Sequence, residues 1–284
     1  MMAPTKPPKA ILFDIGGVVV VSPFQAILDY ELANAIPPGW INFSIQKGPH
    51  DTGAWQLIER GECILDDTWF SKFKSQLEMR NHWTEFWARE VAKGTLKGDA
   101  RFPPAMPSIE AKKLFWNMMN MSREPDPYMY PALKKLRLDG RFVLGALSNT
   151  VAFPPGIVDH DGVVFSHALV HPPPPHPHAA DSTNTQDLFD TFISSAHVGL
   201  RKPDPRVYEL AVRELDRVAR EKGLGRVEKG DVLFLDDIGV NLKWARKSGL
   251  RTIKVDLGRS RDAVRELEEE TGLKLLEGEG RAKL

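Results

Sequence analysis

The stretch from Lys9 to Val21 constrains the fold of this chain more than any other. Ala10-Ile11-Leu12-Phe13 is a short, unbroken apolar run, the pattern of a strand buried on both faces. Asp14 follows directly, and the pair Gly16-Gly17 comes just after it. In an open parallel sheet, ligands bind at the carboxyl ends of the strands. Asp14 is therefore expected at such an edge, facing a turn whose glycines let a ligand approach the backbone. Aspartate and glycine are also ordinary turn residues, so this stretch alone leaves a plain strand and turn open.

The rest of the chain extends the pattern. Buried strands are expected at Arg141 to Leu147, at Val163-Val164-Phe165, at Val232 to Leu235 and at Arg251 to Val255. Helices are expected over Tyr130–Leu138, Arg206–Lys222, Asn241–Ser248 and Asp262–Thr271, the second with Val207, Leu210, Ala211 and Leu215 on one face. Strands alternating with helices predict an α/β fold with a doubly wound parallel sheet and right-handed crossovers. Residues 22–120 read as mostly helical and rich in aromatics, among them Trp55, Trp69, Phe70, Phe73, Trp83, Phe86 and Trp87. These are expected to form the core of a small helical subdomain, a cap over the sheet's carboxyl edge. The predicted boundaries are 1–21 and 121–284 for the sheet domain and 22–120 for the cap. A proline- and histidine-rich insertion at 171–186 reads as a solvated loop, because its prolines hold the chain extended and no acid is interleaved among its histidines.

Composition narrows the partners. Lys+Arg and Asp+Glu are both 38 in 284 residues, so net charge argues for neither an acidic nor a basic partner, and no basic face points to nucleic acid. Cys63 is the one cysteine, which excludes an intramolecular disulfide and fits a reducing, cytoplasmic setting. No apolar run has membrane-spanning length, and residues 1–9 read as a disordered tail without a signal-peptide core. Oligomeric state is not legible.

The predicted topology gathers Asp14, Ser148-Asn149, Lys202 and Asp236-Asp237 on one rim. Three converging carboxylates repel unless a cation sits among them, and oxygen donors without histidine or thiolate favour a hard ion such as Mg²⁺. A metal and Lys202 together make a site for a dianion. Ser148, Asn149 and the glycine-turn N–H groups add donors. Such a rim suits a phosphate ester, with Asp14 placed to attack phosphorus and form an acyl phosphate. A helix N-cap is the competing role for the Asp236-Asp237 pair.

Four segments resemble the motifs of the haloacid-dehalogenase-like hydrolases, in the branch with a helical cap inserted after the first strand. They are Phe13-Asp14-Ile15-Gly16-Gly17-Val18, Leu147-Ser148-Asn149-Thr150, Gly199-Leu200-Arg201-Lys202-Pro203-Asp204-Pro205 with Tyr208, and Phe234-Leu235-Asp236-Asp237-Ile238-Gly239-Val240-Asn241. The last two look most like the amino-terminal phosphatase domain of soluble epoxide hydrolases. Trp55 with Glu59-Arg60-Gly61-Glu62 resembles a cap helix of that branch. The resemblance covers about residues 9–257 and implies a Rossmann-like core. It implies Asp14 as nucleophile and Lys202, Ser148, Asn149 and Gly17 as ligands of the phosphoryl group of a small phosphorylated substrate. It further implies Asp14, Asp237 and the Gly16 carbonyl as Mg²⁺ ligands. Asp236 would hold Lys202 or a metal-bound water, and Asn241 would support the fourth motif.

One position departs from the pattern. The family's second first-motif aspartate, which serves as general acid and base, is Gly16 here. The carbonyl is kept and the carboxyl is lost. Three functions follow from the sequence: a Mg²⁺-dependent phosphomonoesterase, a phosphoester-binding or regulatory protein with weak turnover, and a dehalogenase. Dehalogenation attacks carbon and needs no cation, so Asp236-Asp237 argues against it.

Overall fold

The computed structural model describes residues 6–276. The order is β1 (Ala10–Phe13), α1 (Pro23–Ala33), α2 (Trp40–Lys47), α3 (Ala54–Glu59), α4 (Asp67–Leu77), α5 (Arg80–Ala92), α6 (Ala111–Met121), α7 (Met129–Asp139), β2 (Val143–Ser148), β3 (Thr191–Ser194), α8 (Ser195–Val198), α9 (Pro205–Glu221), β4 (Val232–Asp236), α10 (Gly239–Lys247), β5 (Arg251–Lys254) and α11 (Ser260–Thr271). The chain divides into two units. One comprises 1–22, 122–149 and 167–284; the other comprises 23–121 and 150–166. Residues 1–5 of the tail expected at 1–9 lie outside the described residues; its remainder is tied to the sheet, with Pro8 buried and Lys9 N donating to Asp231 O at 2.9 Å.

In the first unit, five parallel strands run in the order β3-β2-β1-β4-β5. This is the expected doubly wound sheet, and the strand order reverses beside β1, where such sheets bind ligands. β1, β2 and β4 are buried along their whole length. Alternate residues serve opposite faces. Ile11, Phe13 and Leu233 join one core with α7 and α11, while Leu12, Val143 and Phe234 join another with Val207, Tyr208, Ala211 and Leu215 of α9. Asp204 starts α9 by accepting from Arg206 N, with Pro205 in the first turn, where its missing N–H costs nothing.

The second unit is helical, and its aromatics form its core as expected. Trp69 stacks on Phe73 at 4.9 Å between ring centroids, and Trp40 meets Trp83 edge-on at 5.0 Å. Trp55 packs on Phe73 at 5.3 Å, so it is a core residue of this unit. Asp66 caps α4 by accepting from Trp69 N at 2.7 Å, as its position before the aromatic run predicts.

Two expectations are corrected. Val163-Val164-Phe165 is not a strand of the sheet: Val163 and Val164 are exposed, and Val164 makes one isolated bridge to Val158. The segment 150–166 packs within the helical unit because Phe153 and Phe165 stack at 4.7 Å and both contact Trp116. The strand that the sheet uses is Thr191–Ser194, a half-buried edge strand with too few apolar residues to stand out. The proline–histidine loop is solvated only in part. Pro172 to Pro177 are exposed, but Asp181 accepts from Lys134 Nζ at 2.6 Å and from Tyr130 Oη at 3.1 Å, which pins the loop's far end to α7.

Candidate active site

The site lies within the sheet unit, at the carboxyl ends of three adjacent strands. Asp14 follows β1, Ser148 ends β2 and Asp236 ends β4. The ladder continues one step past β1, where Asp14 N donates to Leu235 O at 2.8 Å, so the acid leaves the sheet in a fixed direction. Lys202 comes from the turn between α8 and α9 and is 1% exposed. Its Nζ lies 2.7 Å from Asp14 Oδ2 and 2.7 Å from Asp236 Oδ2. The ammonium also sits over the Phe234 ring, 5.4 Å from its centroid. Phe234 precedes Asp236 by two residues and so shares its face of β4. That spacing was the available signal for a residue the sequence reading did not single out.

Asp236 is 0% exposed, and its oxygens are fully engaged. Oδ1 accepts from Ile238 N at 2.7 Å and Asn241 Nδ2 at 3.1 Å; Oδ2 accepts from Lys202 Nζ and from Asn241 Nδ2, also at 3.1 Å. A carboxylate has about four acceptor positions, so Asp236 is committed to the lysine and to its own loop. Asn241 thus ties α10 back to Asp236, and its carbonyl in turn accepts from Tyr208 Oη at 2.9 Å. The N-cap role does not apply: α10 is entered through Ile238, with no side-chain cap.

Asp14 and Asp237 are placed differently. Asp14 Oδ1 accepts from Ile15 N at 2.7 Å. Asp237 Oδ1 is buried without a hydrogen-bond partner. Burial pushes Asp14 up to about 7 against the pull of Lys202, and Asp236 adds to the rise. Burial, then the charges of Asp14 and Asp236, pushes Asp237 up to about 8. Lys202 is held above its ordinary value although burial opposes its charge, because Asp14 and Asp236 outweigh it. One oxygen from each of Asp14, Asp236 and Asp237 lies within 4.8 Å of the others. An all-oxygen set with a buried, unpartnered carboxylate oxygen fits a hard divalent cation. Since Asp236 is saturated, Asp14 and Asp237 are the side chains with capacity to hold it.

Two residues expected to meet a phosphate are otherwise engaged. Gly17 has φ 77° and its N–H donates to Val20 O at 2.9 Å. A Cβ at Gly17 would stand 2.4 Å from Asp237 Oδ2, so this glycine makes room for the acid. Both ends of the Asn149 side-chain amide bond the backbone of Lys202. Ser148 Oγ makes a long contact of 3.5 Å to Asn149 O, which leaves the hydroxyl able to donate elsewhere. Gly16 forms a β-bridge with Val20.

No family model matches the chain. It is 27% identical over 272 residues to Acyl-CoA dehydrogenase family member 10 of Mus musculus, covering 94% of this chain and 19% of that protein. It is 28% identical over 272 residues to Bifunctional epoxide hydrolase 2 of Sus scrofa, covering 95% of this chain and 40% of that protein. The chain thus spans less than half the length of these relatives. Among solved structures, a predicted HAD-like family hydrolase from Porphyromonas gingivalis superposes with a TM-score of 0.48 at 17% identity, covering 92% of this chain and 98% of that one. Among the described residues, no helix is long and apolar enough to cross a membrane.

Proposed function

We propose that this chain, a haloacid-dehalogenase-like hydrolase, is a Mg²⁺-dependent phosphatase that cleaves a small phosphomonoester through a phosphoryl group carried on Asp14. The observation that carries the reading is the buried ammonium of Lys202 held between Asp14 and Asp236, beside the unpartnered Asp237 Oδ1. That arrangement supports the reading, because a carboxylate suited to attack, a fixed ammonium and an unpartnered carboxylate oxygen are neighbours.

Asp14, Asp237 and the Gly16 carbonyl would hold Mg²⁺, which supplies Lewis-acid polarisation of a phosphoryl oxygen. Lys202 offsets charge on the other phosphoryl oxygens, and its grip by Asp236 fixes it before substrate arrives, so little reorganisation is needed at the moment of reaction. Ser148 Oγ donates to the same group. Asp14 attacks phosphorus, the ester P–O bond breaks, and the leaving oxygen departs with the bonding pair. Water then cleaves the acyl phosphate, releasing inorganic phosphate and restoring the carboxylate. With glycine at position 16 the departing alkoxide lacks the family's usual proton donor, a contribution of roughly 10²–10⁴-fold.

The test is p-nitrophenyl phosphate hydrolysis by purified protein. Release of nitrophenolate that requires Mg²⁺ and stops on chelation is expected. Equal rates with and without the metal, or halide release from 2-haloacids in place of phosphate release, would overturn the reading.

A further inference from the structure

Lys202 has an unusual support. It sits in a turn and belongs to no helix or strand, so no ladder or helical bond fixes its backbone. Instead, Asn149 Nδ2 donates to Lys202 O at 3.1 Å, and Lys202 N donates to Asn149 Oδ1 at 2.8 Å. Bonding the N–H and the C=O of one residue is what a neighbouring strand does for the residue it pairs. Here a carboxamide does it, from the first position after β2. The lysine side chain then runs from that anchor to Asp14, which follows β1, and to Asp236 on β4. A lysine stem has four rotatable carbons and a point charge at its end. The position of Nζ between two carboxylates therefore depends on where the residue's backbone is held.

We infer that Asn149 is the positioning residue of Lys202 and acts on the reaction through it, without contacting the phosphoryl group. The inference rests on the phosphoryl-transfer reading for its kinetic consequence, and on the two amide bonds for its structural one. It replaces the ligand role that the resemblance implied for Asn149. A misplacement of a catalytic group by about 1 Å costs on the order of 10²-fold in rate. Because Lys202 serves the transition state, the loss belongs in kcat.

The experiment uses the full chain and four variants: Asn149→Leu, which removes both bonds; Asn149→Asp, which keeps the acceptor for Lys202 N; Lys202→Gln; and the double variant Asn149→Leu/Lys202→Gln. With p-nitrophenyl phosphate and Mg²⁺, Asn149→Leu is expected to lower kcat about 10²-fold with KM little changed. Asn149→Asp is expected to fall between it and wild type. In the Lys202→Gln background, Asn149→Leu is expected to add no further loss, the signature of residues acting as one unit. A risen KM with kcat intact, or a full additional loss without Lys202, would mean that Asn149 touches the substrate and would overturn the inference. Hydrogen exchange at the Lys202 amide supplies a readout independent of activity. Faster exchange there in folded Asn149→Leu, with the β1 and β4 amides unchanged, supports the clamp even if wild type hydrolyses no ester, in which case the phosphatase reading alone fails. Unchanged exchange at Lys202 overturns the clamp whatever the activity.

Discussion

Replacing Lys202 by methionine isolates the electrostatics of the site. The stem keeps nearly its volume, so packing against Phe234 survives and the loss is that of the charge. The ammonium is 1% exposed and stands 2.7 Å from two carboxylate oxygens. At an effective dielectric of about 20, each such contact is worth on the order of 6 kcal/mol before desolvation is counted. The ammonium's own burial offsets much of that. Removing one member of a buried ion pair nevertheless costs about 3–5 kcal/mol, because the carboxylates stay buried without compensation. At about 2–4 °C per kcal/mol, the sheet unit should lose roughly 6–20 °C in Tm at pH 8. The loss should depend on pH. Lys202 is what holds the Asp14 carboxyl down against its burial, so without the ammonium Asp14 keeps its proton to higher pH when folded than when unfolded; the folded state then binds more protons and its stability falls as pH rises. The gap between wild type and Lys202→Met should therefore be widest at pH 8 and narrow toward pH 5. Calorimetry in EDTA measures it, and Lys202→Met/Asp236→Asn should recover part of the loss at pH 8. An unchanged Tm at pH 8, or a gap that does not shrink in acid, would refute the reasoning.

The metal-free wild type should itself lose stability from about pH 4 to pH 8, since Asp14 rises to about 7 and Asp237 to about 8 and both favour the folded state only while protonated. Mg²⁺ should restore most of that loss at pH 8 in a thermal-shift assay and little of it at pH 5. Gly17→Ala should lower unfolding stability by roughly 1–2 kcal/mol, the cost of a left-handed non-glycine residue, and sharply weaken Mg²⁺ binding by calorimetry, because its Cβ would fall 2.4 Å from Asp237 Oδ2. Rates across a series of phosphate esters should fall steeply as leaving-group pKa rises. Gly16→Asp should raise alkyl phosphates by up to about 10²-fold, the low end of what a positioned acid supplies. Gly16 pairs with Val20 in a β-bridge, and the left-handed position of the turn is Gly17, so the variant can be made without backbone strain.

Much of the candidate site was legible because it follows from local pattern. An apolar run closed by an acid marks a buried strand and its ligand edge, which located Asp14 after β1 and Asp236-Asp237 at the end of β4. Periodicity located α9 and α10 to within a few residues at either end. What escaped depended on partners distant in sequence. Nothing local to Asn149 announces that its amide belongs to a residue 53 positions away. Nothing in Gly16-Gly17 says that the second glycine clears space for an acid at position 237. Val163-Val164 has the composition of a strand but no sheet neighbour, while Thr191–Ser194 lies at the sheet edge with one buried residue and so lacks the apolar run of a central strand.

The central claim is that phosphorus passes through Asp14. Acid quenching a reaction with a phosphate ester and Mg²⁺, followed by peptide mass analysis, tests it directly, since acyl phosphates survive cold acid and yield to hydroxylamine. The account predicts a phosphoryl adduct on Asp14 that requires Mg²⁺, disappears with hydroxylamine and is absent from Asp14→Asn, which should also lack turnover. Continued turnover by Asp14→Asn, or an adduct carried by another residue, would contradict it.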